Sequence, residues 1–200
     1  MYKKCLYTSV LRAIAKVPLL NAAVQIGIGI ACQGAAACLA IYNGAQTYAV
    51  TGSAKAALTS AAISYASAQV FQKIGGQFTK TTGGFFDAGV KNGFRHIVSH
   101  ALAGGVISKV QGGKFGHGFF SAGLTKGLTP HFEGIGGFDV GGYNPAEAIV
   151  ASILGGTISK ATGGKFGNAA MTAAMANLFN NQRTRLENLE KMQISLLRKV

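Results

Sequence analysis

Apolar residues follow one another along this chain in blocks of helical length, and small residues interrupt the blocks at regular places. No charged residue lies between Val17 and Ala54, and residues 17–42 are apolar enough to compare with the roughly 20 residues that cross a bilayer. Asn21, Gln25 and Gln33 interrupt that block. Two readings fit it. One is an Ala- and Gly-rich helical hairpin, broken near Gly27 and Gly29 and buried in protein. The other is a membrane-inserted segment, for which Lys3, Lys4, Arg12 and Lys16 form a positive-inside anchor or the n-region of a signal peptide cleaved at Ala35-Ala36-Ala37. The pattern then turns between Tyr48 and Gly52, and Thr51 or Ser53 can cap a helix from Ala54 to about Ile74, whose apolar face carries Leu58, Ala62, Tyr65 and Phe71.

A twelve-residue pattern is written three times, as GGQFTKTTGGFF from Gly75, GGVISKVQGGKF from Gly104 and GGTISKATGGKF from Gly155. Such repetition predicts a stacked supersecondary unit. Each copy reads as the end of a helix, a Gly-Gly stop and a returning helix. Lys80, Lys109 and Lys160 fall in the last turn, where a cation complements the helix dipole. The second glycine pairs, Gly83-Gly84, Gly112-Gly113 and Gly163-Gly164, supply the left-handed close, and Phe86, Phe115 and Phe166 begin the return. The first pairs, Gly75-Gly76, Gly104-Gly105 and Gly155-Gly156, lie inside helices, where each glycine costs about 1 kcal/mol relative to alanine. Close helix crossing is the expected compensation, supported by Gly-x-x-x-Gly spacings at Gly89 and Gly93, Gly112 and Gly116, Gly123 and Gly127, and Gly163 and Gly167. The fold class expected is therefore all-α, made of glycine-rich αα-hairpins packed through small-residue crossings.

A Gly-rich loop from Thr129 to Tyr143 separates the last two copies. Asn144 as N-cap, Pro145 at the first helical position and Glu147 at the third predict a clean start for the next helix, to about Ala161. The following helix runs to Phe179 and breaks at Asn180-Asn181. Residues 181–200 read as a separate basic amphipathic helix. Three regions result: an apolar segment over 1–54, the helical repeats over 55–180 and the basic helix over 181–200.

Composition narrows the chemistry. The chain has 19 Lys plus Arg against 6 Asp plus Glu, and no acidic residue precedes Asp87, so anionic partners are favoured. The cations stand singly, without the basic stripe interleaved with aromatics that nucleic-acid binding calls for, and an anionic lipid surface is the expected partner. With 29 Gly and no Trp, the buried surface is expected to be built of small side chains, without large cavities or aromatic clusters. Cys5, Cys32 and Cys38 lack C-x-x-C spacing and read as small buried hydrophobes rather than a disulfide framework.

Candidate reactive groups are sparse. His96 and His100 share a helix face at i, i+4, but the intervening residues lack the Glu of H-E-x-x-H. His117, His131, Ser121 and Asp139 allow a Ser, His and Asp set on paper, without a nucleophile elbow. Gly112 to Lys114 and Gly163 to Lys165 resemble a phosphate loop in part, but Phe115 and Phe166 stand where Ser or Thr would bind a metal. No catalytic residue, metal or small-molecule cofactor is expected. Lys109, Lys114, Lys160 and Lys165 are the candidate contacts for an anion or lipid headgroup, because Lys114 and Lys165 sit at helix starts where a bound anion can be shared.

At GGVISKVQGGKFGHGFFSAGLTK, GGTISKATGGKFGNAAMTAAMANLFN and the lead-in from Tyr48 to Gly75, the chain resembles the Gly- and Ala-rich C-terminal region of bacterial polymorphic toxins, the Rhs-repeat and filamentous-haemagglutinin-like secreted proteins. The resemblance covers roughly Gly44 to Asn180. It implies a secreted piece delivered from one bacterium to another, with a cognate immunity protein as a partner, from a class in which some members depolarise membranes and others carry enzymatic heads. The matching positions are glycines, Lys and Phe, so no catalytic residue carries over. The function expected is a non-enzymatic toxin module that associates with or disrupts a target membrane. A structural pre-toxin linker is the alternative, and a cryptic enzyme around His117 and His131 the second.

Overall fold

Pro18 sets the first corner. It cannot continue the helix before it, and it holds Val17 extended, so α1 (Tyr2–Lys16) and α2 (Pro18–Ala31) meet at a bend of 118° with Pro18 at the first helical position. The computed structural model describes residues 2–78 and 91–198. Every regular element among them is helical: α3 (Ala36–Thr51), α4 (Ala54–Gln77), α5 (Lys91–Val110), α6 (Phe115–Leu128), α7 (Pro145–Ala161), α8 (Phe166–Ala176) and α9 (Arg183–Leu197) follow, with a π-helical turn at Asn177–Gln182. The expected all-α class is what the structure shows. No single helix among the described residues is long and apolar enough to cross a membrane, although the bent pair α1 and α2 together has that length and composition.

The N-terminal apolar block does break, but not at its glycines. Gly27 and Gly29 lie inside α2, and the break falls at residues 32–35. There the amides of Gln33 and Gly34 bond to the carbonyls of Ile30 and Gly29 at 2.9 and 2.8 Å, a Schellman close in which Gln33 takes the left-handed conformation at φ 50°. That turn brings the Cα atoms of Cys32 and Cys38 to 6.5 Å, and the two residues form a disulfide. The expectation that these cysteines serve as small buried hydrophobes is thus corrected: both are half-buried and covalently paired. Asn21 and Gln25, one turn apart on α2, are buried against α3, which supplies donors to their side-chain oxygens, while Gln25 Nε2 has no partner among the described residues. Tyr42 Oη and Gln46 Nε2 each donate to Asn21 Oδ1 at 3.0 Å, and Asn43 Nδ2 donates to Gln25 Oε1 at 3.1 Å.

The helix ends follow their caps. Ser53 Oγ accepts from the Ala56 amide at 3.2 Å and starts α4, after Gly52 closes α3 in the left-handed conformation. Asn144 Oδ1 accepts from the Glu147 amide at 3.1 Å and starts α7. The main core joins Leu39 of α3, Phe71 and Ile74 of α4, Ile107 of α5 and Met175 and Phe179 at the end of α8 and in the π turn. Ile26, Tyr143, Ala148 and Leu178 form a second cluster, and Leu11, Tyr42 and Ala49 a third. The expected small-side-chain interior holds in part, since alanine supplies about half of the buried apolar residues. Contrary to expectation an aromatic cluster is present, with Phe71 stacked on His100 and Phe78 on His96 at centroid distances of 5.4 and 4.6 Å. Along α9, the residues from Glu190 to Leu197 are all exposed.

A cationic cleft at two glycine turns

The copies of the motif at Gly104 and Gly155 give each residue a definable job. Gly104 of α5 faces α6: a Cβ there would stand 2.6 Å from the carbonyl oxygen of Gly118 and inside contact distance of Ala122 Cβ. Gly155 of α7 faces α8, where a Cβ would stand 3.1 Å from the Ala169 oxygen and against Ala173 Cβ. Gly105 and Gly156 lie under the rings of Phe115 and Phe166, which a Cβ would meet at 2.5 Å in both places.

The turns are equally alike. The amides of Gly112 and Gly113 bond to the carbonyls of Lys109 and Ser108 at 3.1 and 2.8 Å, and those of Gly163 and Gly164 to Lys160 and Ser159 at 3.1 and 2.7 Å. Gly112 and Gly163 adopt φ 79° and 87°, the left-handed close expected of them. Ser108 Oγ donates to the Lys114 carbonyl at 3.0 Å and Ser159 Oγ to the Lys165 carbonyl at 3.4 Å, fixing the residue before each returning helix. Lys114 and Lys165 are the N-caps of α6 and α8, and neither end is closed by a side-chain acceptor.

The two turns open on one cleft of about 410 Å³. Lys109, Lys114 and Lys165 line it together with His117, Asn168 and Thr172, and no carboxylate is among its lining residues. Three of the four lysines expected to contact an anion are therefore brought together. Lys160, exposed in the last turn of α7, is not part of the lining. Like charges gathered in a concave site focus an attractive field on anions, and the two helix starts add to it. The His117 ring sits against the second turn, close enough that a Cβ on Gly164 would stand 2.9 Å from its Nδ1. Of the Ser, His and Asp set, His117 and Ser121 reach this cleft, whereas His131 and Asp139 are exposed elsewhere. Ser121 Oγ is engaged, donating to the Gly155 carbonyl at 2.7 Å.

The remaining motif positions are placed as follows. Gly75 and Gly76 lie in the last turn of α4, with Gly75 buried and open space around Gly76. Lys80, Gly83, Gly84, Phe86 and Gly89 lie outside the described residues. Sequence reasoning did not single out Ser108, Ser159 or Asn168, although the Ser before each Lys is written in both copies and signals a shared contact.

A second polar cluster is sealed inside the fold. Asn180 Nδ2, in the π turn, lies 2.5 Å from His100 Nε2 and 3.4 Å from His96 Nε2. Burial, reinforced by the Lys126 ammonium, pushes His96 down to about 3 and His100 well below the ordinary imidazole range, so both rings are neutral. Burial pushes half-buried Lys126 down to about 8, against the pull of Glu133 and Glu147. Glu147 is fully buried, with Oε1 accepting from Asn177 Nδ2 at 2.9 Å and Oε2 from the Gly134 amide at 3.3 Å. Its carboxylate thus ties the loop after α6 to the π turn. Among the described residues no three His, Cys, Asp or Glu side chains are grouped to hold a metal.

The cleft has an apolar neighbour. Pro18 packs on Gly167 in the first turn of α8, where a Cβ would stand 3.3 Å from the proline Cβ. Val17, Leu19 and Leu20 beside it are 49%, 44% and 47% exposed, which makes the α1–α2 corner an uncovered apolar edge. Lys16 precedes it and is exposed. Comparison with known proteins returns no matching family model, no matching curated protein and no matching solved structure.

Proposed function

We propose that this chain is a non-enzymatic toxin module, of the Rhs-repeat or filamentous-haemagglutinin-like kind, that associates with an anionic target membrane and disturbs it. On this reading α5 with α6 and α7 with α8 are two copies of one glycine-rich αα-hairpin, and the hairpin tips form the membrane-facing end. The observation that carries the proposal is the adjacency of the exposed corner at Val17, Leu19 and Leu20 to the end of α8 that bears the cationic cleft. Apolar side chains at a corner gain by entering the interface, and nearby lysines add roughly 1 kcal/mol each at an anionic surface. Dye leakage from vesicles tests this. Anionic phosphatidylglycerol vesicles are expected to leak in proportion to added protein and neutral phosphatidylcholine vesicles to remain tight. Tight vesicles of both kinds at generous protein-to-lipid ratios would remove the proposal.

One observation favours the linker reading. Phe94, Leu102, Val106 and Val110 on α5 are each at least half exposed and share one face at helical spacing. A neighbouring effector domain could cover that row. Harmless expression in both the cytoplasm and the periplasm of a bacterium, with no vesicle leakage, would favour this reading over the first.

A further inference from the structure

We infer that the cleft between the two glycine turns is a phosphate-group site, taking either a free phosphomonoester or the headgroup phosphate of an acidic lipid. The inference deepens the membrane reading and, for the lipid source alone, rests on it. Lys109, Lys114 and Lys165, each exposed, line one space of about 410 Å³, and no carboxylate is among its described lining residues, an arrangement whose field attracts an anion. The hydroxyls nearby are already engaged: Ser108, Ser159 and Ser121 donate to the carbonyls of Lys114, Lys165 and Gly155. They hold the frame, and the other side-chain donors lining the cleft include the ammonium groups, the His117 ring and the Gln111 and Asn168 amides. The turn residues preceding α6 and α8 leave those helix starts without a side-chain cap, so their partial positive charge adds to the lysines rather than being cancelled.

Size and access agree with this assignment. The space around His100 and Lys126 holds only about 10 Å³, room for no more than a water, whereas the cleft offers about 410 Å³. A lysine is a point charge that binds phosphate without demanding one orientation, which suits a group arriving on a lipid as well as one free in solution. The site is also assembled twice over from the same words: Lys114 and Lys165 hold equivalent places in their copies of the motif and reach the cleft from two different helix pairs.

The test is a titration of the ¹⁵N-labelled full chain with inorganic phosphate and with glycerol 3-phosphate, followed by amide shifts. Saturable shifts are expected at Gly116, His117, Gly167 and Asn168. Combined Lys114→Gln and Lys165→Gln is expected to weaken binding at least about tenfold. Combined Lys55→Gln and Lys73→Gln, which removes the same charge from α4, is expected to weaken it less than about twofold. Equal weakening in the two variants, or shifts scattered over all lysines, would overturn the inference. Circular dichroism of both variants checks that the fold is kept, and His117→Ala is a second cleft variant expected to weaken binding. Vesicles of phosphatidic acid and phosphatidylglycerol at matched charge then separate the sources. Preference for phosphatidic acid that is lost in the cleft variant assigns the lipid headgroup, and local phosphate binding without that preference assigns a free phosphomonoester. Absence of vesicle binding would remove the membrane reading, while the phosphate titration would still decide the site.

Discussion

Replacing Gly104 with alanine puts one methyl group where helix α5 crosses α6. The added Cβ would stand 2.6 Å from the Gly118 carbonyl oxygen and closer still to Ala122 Cβ, and neither neighbour is the mobile end of a side chain. Overpacking of this kind costs typically 1–3 kcal/mol, and a backbone obstacle places it near the upper end, about 3 kcal/mol. Alanine recovers about 1 kcal/mol through helix propensity. The expected net loss is therefore about 2 kcal/mol, or a fall in melting temperature of roughly 4–8 °C for a chain of this size. The nearest atoms to a Cβ in Gly105→Ala belong to the Phe115 ring, which is exposed and can swing away, so its loss should be smaller. Gly27→Ala, with nothing within 4 Å of its Cβ, should stabilise by up to about 1 kcal/mol. Thermal and urea unfolding followed by circular dichroism give the three values. If Gly104→Ala were as stabilising as Gly27→Ala, the close-crossing account of the first glycine pair would be refuted.

Two other perturbations have signed outcomes. His96 is neutral in the fold at about 3 against an ordinary 6.5, so the unfolded chain binds the extra proton between those values and stability falls as pH drops from 6.5 towards 3. Unfolding free energies from urea titrations at pH 7 and pH 4.5 should differ by about 2–3 kcal/mol from this ring alone, with His100 adding in the same direction, and His96→Phe, which keeps a ring against Phe78, should remove the His96 share of the dependence. Reducing the Cys32–Cys38 disulfide opens a short loop and should lower stability by about 2 kcal/mol, an effect that Cys38→Ser abolishes. A reductant-insensitive wild-type unfolding curve would contradict that value.

What could be read from the residues alone was local. Ser53, the Asn144-Pro145 start and the Gly-Gly turns each act within one helical turn, and each stands where its chemistry places it. The corner at Pro18 is just as local, since proline biases the residue before it away from the helical conformation, although the uncharged run around it carries no other sign of a bend. Gln33 gives no such warning, because a side chain at positive φ is uncommon and only the closing hydrogen bonds reveal it. Asn180 reads as a helix breaker, yet the chain passes through it as a π turn because His96 and His100, some eighty residues away, engage its amide. Glu147 shows the same limit. Its place at the third helical position suggests a carboxylate folded back on its own cap, and only tertiary structure reveals Asn177 and Gly134 as its partners. The lysines of the cleft were identifiable one at a time, while their convergence depends on how two helix pairs lie side by side.

The most direct measurement uses the absence of tryptophan from the chain. Leu20→Trp places a single indole on the exposed α1–α2 corner beside Lys16. Its emission should shift to the blue with phosphatidylglycerol vesicles, stay unchanged with phosphatidylcholine, and revert on addition of salt. An indole that stays water-exposed with anionic vesicles at low salt would contradict the claim that this end of the molecule meets the membrane.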